Sequence, residues 1–140
     1  MNDDFKNAEG YLDPTPYQAI RNADGKARPP FMPLVYICSP YSSAPEVNVK
    51  RARAFCRFAL EHGRIPLAPL LMFPQFMSDT DPTERDLALF MDIVLMGKCQ
   101  ELWVLGDEVT AVMSIEIEKA RKRRQRIRFF NSRFEGVESL

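Results

Sequence analysis

One carboxylate of the sequence stands among residues that are otherwise apolar. The spacing of apolar residues predicts an amphipathic helix over residues 109–124, and at about 100° per residue Glu116 falls in the middle of its apolar face. A carboxylate among core residues is costly unless it is hydrogen-bonded, paired or functional. Glu116 therefore indicates either a buried ion pair, with Arg85 or Arg64 as candidate partners, or a functional site.

A second acidic residue could act together with Glu116. Asp92 lies at the margin of the apolar face of the preceding predicted helix. Two carboxylates that work without a metal or a histidine have one main chemistry, the cleavage of a glycosidic bond through an oxocarbenium-like centre. Tyr36 lies inside the first predicted strand, and its pattern alone indicates core packing with a hydroxyl that needs a partner.

The composition excludes several other classes of site. The only histidine, His62, precedes a glycine at a predicted helix end, and no phosphate-binding loop or dinucleotide fingerprint occurs in the sequence. The chain has too few closely spaced His and Cys residues for a zinc hydrolase or a zinc deaminase. We therefore expect neither a metal nor an organic cofactor.

The bulk properties indicate one globular domain in the cytoplasm. The 140 residues carry 19 basic and 19 acidic side chains, and no apolar run is long enough to span a membrane. The start of the chain lacks the pattern of a secretory signal. The three cysteines, Cys38, Cys56 and Cys99, are widely spaced and are typical of buried thiols in a reducing compartment.

Predicted strands and helices alternate along the chain. Strands are predicted over residues 34–38, 64–68, 101–105 and 126–130, and helices over 46–61, 82–97 and 109–124. This alternation predicts an α/β fold, a Rossmann-like three-layer α/β/α sandwich with a small, mainly parallel sheet. We expect residues 1–30 to form an N-terminal arm, residues 31–131 the domain, and residues 132–140 a tail.

Ligands of open α/β sheets bind beyond the carboxyl ends of the strands, near helix N-termini. The loops over residues 39–43 and 106–110 follow the first and third predicted strands. They therefore mark the expected edge of the site, and Glu116 lies within the first two turns of the helix that follows the second loop.

Four segments in this order resemble one known family. They are Tyr36–Ser42 (YICSPYS), Asp92, Leu102–Gly106 (LWVLG) and Thr110–Ala120 (TAVMSIEIEKA). They resemble the nucleoside 2-deoxyribosyltransferase-like superfamily, in particular its bacterial and phage branch. That superfamily also contains 2′-deoxynucleoside 5′-monophosphate N-glycosidases. The likeness spans residues 34–130 and implies a small-molecule nucleoside or nucleotide as ligand, and a homo-oligomer.

The resemblance implies a role for each catalytic candidate. Glu116 matches the nucleophile that attacks the anomeric carbon of the sugar, and Tyr36 matches the tyrosine that orients this carboxylate. Asp92 matches an aspartate on the nucleobase side that helps the base to leave.

The resemblance also implies the ligand-binding residues. Ser39 and Ser42 match the loop that holds the sugar or the 5′-phosphate. Thr110 stands where monophosphate-cleaving relatives have a serine, and its hydroxyl favours a phosphorylated ligand because it can donate to an oxyanion. The other implied contacts are Pro40, Tyr41, Gly106 and Met113.

The chain departs from the family pattern at three positions. Val112 replaces a glycine, which places a side chain where backbone would approach the ligand. Gln100 stands where an aspartate is common, and Leu70 where close relatives often have a histidine. The change at Val112 favours the alternative that the pocket binds a nucleotide or a nucleotide-derived signal without cleaving it.

A third interpretation concerns the basic residues after Glu118. These are Arg121, Lys122, Arg123, Arg124, Arg126 and Arg128. They could form a nucleic-acid patch, but a basic helix C-terminus more often complements the helix dipole on a solvated face. We therefore do not expect a nucleic-acid partner.

Overall fold

A five-stranded sheet organises the part of the chain that the computed structural model describes, residues 31–138. The strands are β1 (Leu34–Cys38), β2 (Ile65–Leu67), β3 (Glu101–Leu105), β4 (Arg126–Phe130) and β5 (Gly136–Val137). Their order in the sheet is β2-β1-β3-β4-β5, with β1 to β4 parallel and β5 antiparallel to β4. The predicted arm over residues 1–30 lies outside the described residues.

Helices connect the parallel strands. They are α1 (Pro45–Glu61), α2 (Pro69–Met72), which a 3₁₀ turn (Phe73–Gln75) extends, α3 (Pro82–Met96) and α4 (Ala111–Lys122). Proline stands in the first turn of α1 and α3, where its missing N–H costs nothing. Within residues 31–138, no helix combines the length and the apolar character needed to cross a membrane.

The sheet separates two apolar clusters, because successive side chains of a strand point to opposite faces. On one face Tyr36, Cys38, Leu102 and Val104 pack against α3 and α4. On the other face Val35, Ile37, Trp103 and Leu105 pack against α1. The predicted three-layer α/β/α arrangement is confirmed.

The order of the strands determines where a ligand can bind. From β1 the chain passes through α1 to β2 on one side, and then returns through α3 to β3 on the other side of β1. The helices that follow neighbouring strands therefore lie on opposite faces of the sheet, and a crevice opens at the carboxyl ends of β1 and β3.

An aromatic cluster fills the α1 side of the sheet. The ring of Phe55 lies 5.2 Å from that of Phe130 and 6.0 Å from that of Trp103, measured between ring centroids, and Phe55 is fully buried. We expect Phe55→Ala to lower the free energy of unfolding by about 3–5 kcal/mol, measured by chemical denaturation. Leu60→Ala, at a half-exposed position of the same helix, should cost about 1 kcal/mol or less. Equal losses for the two variants would contradict this account of the core.

The C-terminal segment differs from the expected tail over residues 132–140, because Gly136–Val137 pairs with the end of β4. Asn131 makes the turn: its side-chain oxygen accepts from the backbone N–H groups of Arg133 (2.9 Å) and Glu135 (3.0 Å). A strand of two residues shows no alternation, so its sequence carries no strand signal.

Candidate functional site

The carboxylate of Glu116 is buried in the second turn of α4, with 4% of its surface exposed. Two side chains of β1 donate hydrogen bonds to it. The Tyr36 hydroxyl contacts Oε2 at 2.5 Å, and the Cys38 thiol contacts Oε1 at 3.4 Å. Tyr36 and Cys38 are two residues apart on one strand, so both point to the α4 side of the sheet.

The hydrogen bonds from Tyr36 and Cys38 compensate only part of the cost of burying the negative charge of Glu116. Burial raises the pKa of Glu116, and the hydrogen bonds from Tyr36 and Cys38 oppose that rise. Burial, followed by the nearby charge of Glu116, raises the pKa of both Tyr36 and Cys38, so that both keep their protons. The two β1 side chains therefore act as neutral donors.

The ion-pair interpretation of Glu116 was wrong for the described residues. Arg64 pairs instead with Glu101, at 3.6 Å between Nη2 and Oε2. Arg85 lines the same cavity as Glu116 but does not pair with it. No basic side chain between residues 31 and 138 forms a salt bridge with Glu116.

Asp92 approaches the same cluster from α3. Burial, and then the negative charge of Glu116, raise the pKa of Asp92 from 3.8 to about 7. Its Oδ1 atom is buried and has no hydrogen-bond partner within residues 31–138. A carboxyl group of this kind can donate a proton near neutral pH and accept it back.

Glu116, Tyr36 and Asp92 line one cavity of about 360 Å³, within the size range of small-molecule sites. It opens at the crevice beyond β1, between α3 and the N-terminus of α4. The predicted contacts that also line it are Ser39, Tyr41, Ser42 and Thr110. The structure thus brings the three catalytic candidates together with four of the seven candidate binding residues.

The hydroxyl groups of Ser39 and Thr110 differ in the hydrogen bonds that they already make within the described residues. The Ser39 hydroxyl is buried and has no hydrogen-bond partner among the described residues. The Thr110 hydroxyl oxygen caps α4 by accepting from the N–H of Met113 at 3.2 Å. Its proton stays available for an anion in the cavity, since the cap uses only the oxygen.

The other three predicted contacts lie outside this cavity. Pro40 and Gly106 line a smaller neighbouring cavity of about 100 Å³, which Ser39 also borders. Gly106 has a φ of +116°, a conformation that favours glycine, so its role is to turn the chain after β3. Met113 is buried in the apolar cluster between the sheet and α4.

The departures from the family pattern fall in different places. Val112 and Leu70 line the cavity, which remains open beside both side chains. Gln100 does not line it: its side-chain oxygen accepts from the backbone N–H of Leu34 at 2.7 Å, at the start of β1. Gln100 therefore connects β1 to the segment before β3.

Sequence reasoning missed two contributors to the site. The spacing of the cysteines indicates only a buried thiol at Cys38, but its position two residues after Tyr36 places it on the same face of β1. Asn48, on α1, holds the Ser39–Ser43 loop because its side-chain amide donates to the backbone oxygen of Tyr41 and to the Ser43 hydroxyl, both at 3.1 Å. No sequence pattern distinguishes Asn48 from an ordinary polar residue of a first helical turn.

The site has the character of a carboxylate pair. Among residues 31–138, no group of three or more His, Cys, Asp or Glu side chains could hold a metal ion. The two acidic groups have different environments, since one is held by two donors and the other has an oxygen without a partner in this region.

Comparison with known proteins places the chain in a family. No curated protein matches it. The family described as "Domain of unknown function (DUF7768)" matches residues 33–130, which is more than half of the chain. The matched segment contains β1 to β4 and all three catalytic candidates. The chain is therefore a member of the DUF7768 family.

Proposed function

We propose that this protein cleaves or transfers the N-glycosidic bond of a (deoxy)nucleoside or nucleoside 5′-monophosphate, with Glu116 as the nucleophile. The observation that carries the proposal is the buried Glu116 carboxylate, which faces a ligand-sized cavity, is held by donors on one strand and lies near an acid of pKa about 7. The order of motifs from Tyr36 to Ala120 supports it.

In the first step a Glu116 oxygen attacks C1′ of the sugar. The C1′–N bond breaks, its electron pair goes to the base nitrogen, and protonated Asp92 donates its proton to the base. The products are the free base, a glycosyl ester on Glu116 and ionised Asp92. Asp92 suits this role because a general acid works best with a pKa near the working pH.

In the second step water attacks C1′ of the ester from the face that the base has left. Ionised Asp92 accepts the proton of the water, the C1′–O bond to Glu116 breaks, and the sugar leaves with its original configuration. A second base in place of water would give transfer. The residues present carry both steps without a cofactor.

The lining of the cavity favours a phosphorylated ligand. The hydroxyls of Ser39, Ser42 and Thr110 border it, and Arg85 adds a positive charge at its edge. Hydroxyl donors and a guanidinium group suit a phosphate, whereas an aspartate at position 110 would repel one.

A panel of purified substrates tests this proposal. Ribo- and 2′-deoxyribonucleosides, their 5′-monophosphates and a nicotinamide dinucleotide are incubated with pure protein, with and without a second free base, and base release is followed by chromatography. We expect release from at least one 5′-monophosphate. If no compound loses its base, the protein is not a glycosidase of this class.

The second candidate is a module that binds a nucleotide without cleaving it. Val112 favours it, because this side chain lines the cavity where the resemblance implies glycine. Calorimetry with the same panel separates the two functions. Heat of binding from a compound that stays intact indicates the binding module, and Val112→Gly should then show whether the side chain prevents turnover.

Tyr36→Phe tests the orientation of the nucleophile. The change removes the donor to Oε2 and leaves the ring in its cluster, so we expect kcat to fall about ten- to a hundredfold with little change in KM. The acidic limb of the pH profile should also move to higher pH, because Glu116 loses a bond that lowers its pKa. An unchanged acidic limb would show that the hydroxyl serves packing alone.

We also propose a homo-oligomer. One face of α3 carries three apolar side chains that are 44–65% exposed, namely Leu87, Phe90 and Val94. An exposed apolar stripe of this kind is typical of a protein interface. Light scattering after size-exclusion chromatography should give a mass above that of one chain, and Phe90→Glu should reduce it.

We propose a cytoplasmic location and no nucleic-acid partner. Cys38, Cys56 and Cys99 are all free thiols, as expected in a reducing compartment. Two of the basic residues after Glu118 make contacts within the fold: Arg123, just after α4, donates to the backbone oxygen of Ile93, and Arg128, on β4, lies over the Trp103 ring. Salt-sensitive retention on immobilised DNA or RNA would overturn the second part.

A further inference from the structure

The two oxygens of Glu116 are held by donors of very different strength. Oε2 accepts a hydrogen bond from the Tyr36 hydroxyl at 2.5 Å, while Oε1 accepts, among residues 31–138, only one from the Cys38 thiol at 3.4 Å. An O–H donor at this distance from a carboxylate makes a strong hydrogen bond, whereas a thiol is a weak donor.

We propose that Cys38 is a positioning residue whose weak S–H bond holds Oε1 of Glu116 in place and leaves it as the attacking oxygen. This inference rests on the proposed function. A strong donor withdraws electron density from the oxygen that it contacts, so Oε2 is the poorer nucleophile. Oε1 keeps its reactivity because the bond that fixes its direction is weak.

The thiol is fitted to this role by its surroundings. Cys38 is 1% exposed and packs in the cluster between the sheet and α4. Burial raises its pKa well above the ordinary value, so the proton stays on sulfur and the group remains a donor while Glu116 is charged. Without the thiol, Oε1 has no hydrogen-bond donor among residues 31–138, and the terminal torsion of a glutamate is soft.

Within the described part of the chain, residues 31–138, few charged or titratable groups surround Glu116. Tyr36 and Cys38 face it from β1, and Asp92 faces it from α3. Asp79 and Arg85 line the same cavity. Only the two β1 groups donate to the carboxylate among the described residues, so a change at Cys38 should appear directly in the pKa of Glu116.

The test measures that pKa in the free protein. Glutamate is labelled with ¹³C at the side-chain carboxyl, the Glu116 signal is assigned by its loss in Glu116→Gln, and the signal is followed with pH. In Cys38→Ala the pKa of Glu116 should rise by about 0.5 to 1, the worth of one weak hydrogen bond to the charged form. In Cys38→Ser, which supplies a stronger donor, it should return to the wild-type value or below.

Cys99→Ala is the matched control. Cys99 lies in the same apolar cluster, but its thiol donates to the backbone oxygen of Leu95 at 3.5 Å. It should leave the pKa of Glu116 unchanged. If Cys99→Ala moves that pKa as far as Cys38→Ala does, or if neither moves it, Cys38 only packs the core. Because this pKa is measured without turnover, its result can contradict the role proposed for Cys38 whether or not the proposed function is correct.

Kinetics test the choice of oxygen. At a pH where Glu116 is fully ionised, the single-turnover rate of Cys38→Ser should fall severalfold below wild type, because the hydroxyl weakens the attacking oxygen. A rate equal to or above wild type would overturn the assignment of Oε1.

Discussion

Glu116→Gln should abolish base release and leave a folded protein that is at least as stable as wild type above neutral pH. Glutamine keeps the shape of the side chain and an oxygen for the Tyr36 hydroxyl, but it has no charge with which to attack C1′. We expect kcat to fall by about 10⁴- to 10⁶-fold, the effect of removing a nucleophile that acts in a catalytic group.

The stability of this variant separates a catalytic from a structural carboxylate. Burial raises the pKa of Glu116 in the folded state, so its contribution to stability is full at acid pH and is lost as the pH rises through that folded-state pKa. The Tm of Glu116→Gln should therefore exceed that of wild type at pH 8, and the difference should disappear at acid pH.

Glu118→Gln is the matched control, since Glu118 is exposed on the same helix. It should leave both base release and Tm unchanged. A Glu116→Gln protein that melts well below wild type at every pH would identify Glu116 as a structural anchor and end the case for catalysis.

Asp92→Asn should remove the general acid and, with it, the alkaline limb of the pH profile. In the wild-type protein the pKa of Asp92 is about 7, so the protonated form that donates to the base is lost above that pH and the rate should fall. In the variant, kcat below pH 7 should be about 10²- to 10⁴-fold lower and should no longer fall above it.

The leaving group provides an internal check on this role. The nitrophenolate of a nitrophenyl 2-deoxyriboside leaves without protonation, so Asp92→Asn should slow its release in a single turnover far less than the release of a base from a nucleotide. Asp86→Asn, at an exposed position of the same helix, should affect neither substrate. Equal losses in this first step with both leaving groups would show that Asp92 positions the ligand and does not protonate the leaving group.

Asp92→Asn should also stabilise the protein above pH 7. The carboxylate pKa is raised in the folded state, so the charged form opposes folding at higher pH. After allowance for the partial exposure of this side chain, the gain in free energy of unfolding is about 1–2 kcal/mol. Denaturation at pH 8 and at pH 4 should show the gain only at pH 8.

The sequence predicted the layers, the four parallel strands and the position of Glu116, because each depends on periodic burial. Pro66 lies in β2 at the edge of the sheet, where the missing N–H of a proline is tolerated. The side-chain contacts of Glu116 do not follow from periodic burial. Apolar periodicity placed Glu116 on the buried face of its helix, but it could not show whether an arginine or two β1 side chains would meet the carboxylate.

The same limit explains the binding residues. The family resemblance implied Ser39, Ser42 and Thr110, in the two loops at the sheet edge, as binding residues, and all three line the cavity. It could not separate them from Pro40 and Gly106, because the direction of a loop side chain depends on backbone angles that adjacent residues do not reveal.

The alternation of β1 has a consequence for how this protein can change. Tyr36 and Cys38 donate hydrogen bonds to the Glu116 carboxylate on one side of the sheet, while Val35 and Ile37 pack in the aromatic cluster on the other side. Substitutions in the aromatic layer should shift the melting temperature and leave the ligand preference intact, whereas substitutions around the cavity should change the ligand preference. New ligand specificities can thus be selected on the cavity side of the sheet, while packing on the aromatic side keeps the protein stable enough to tolerate the destabilising changes among them.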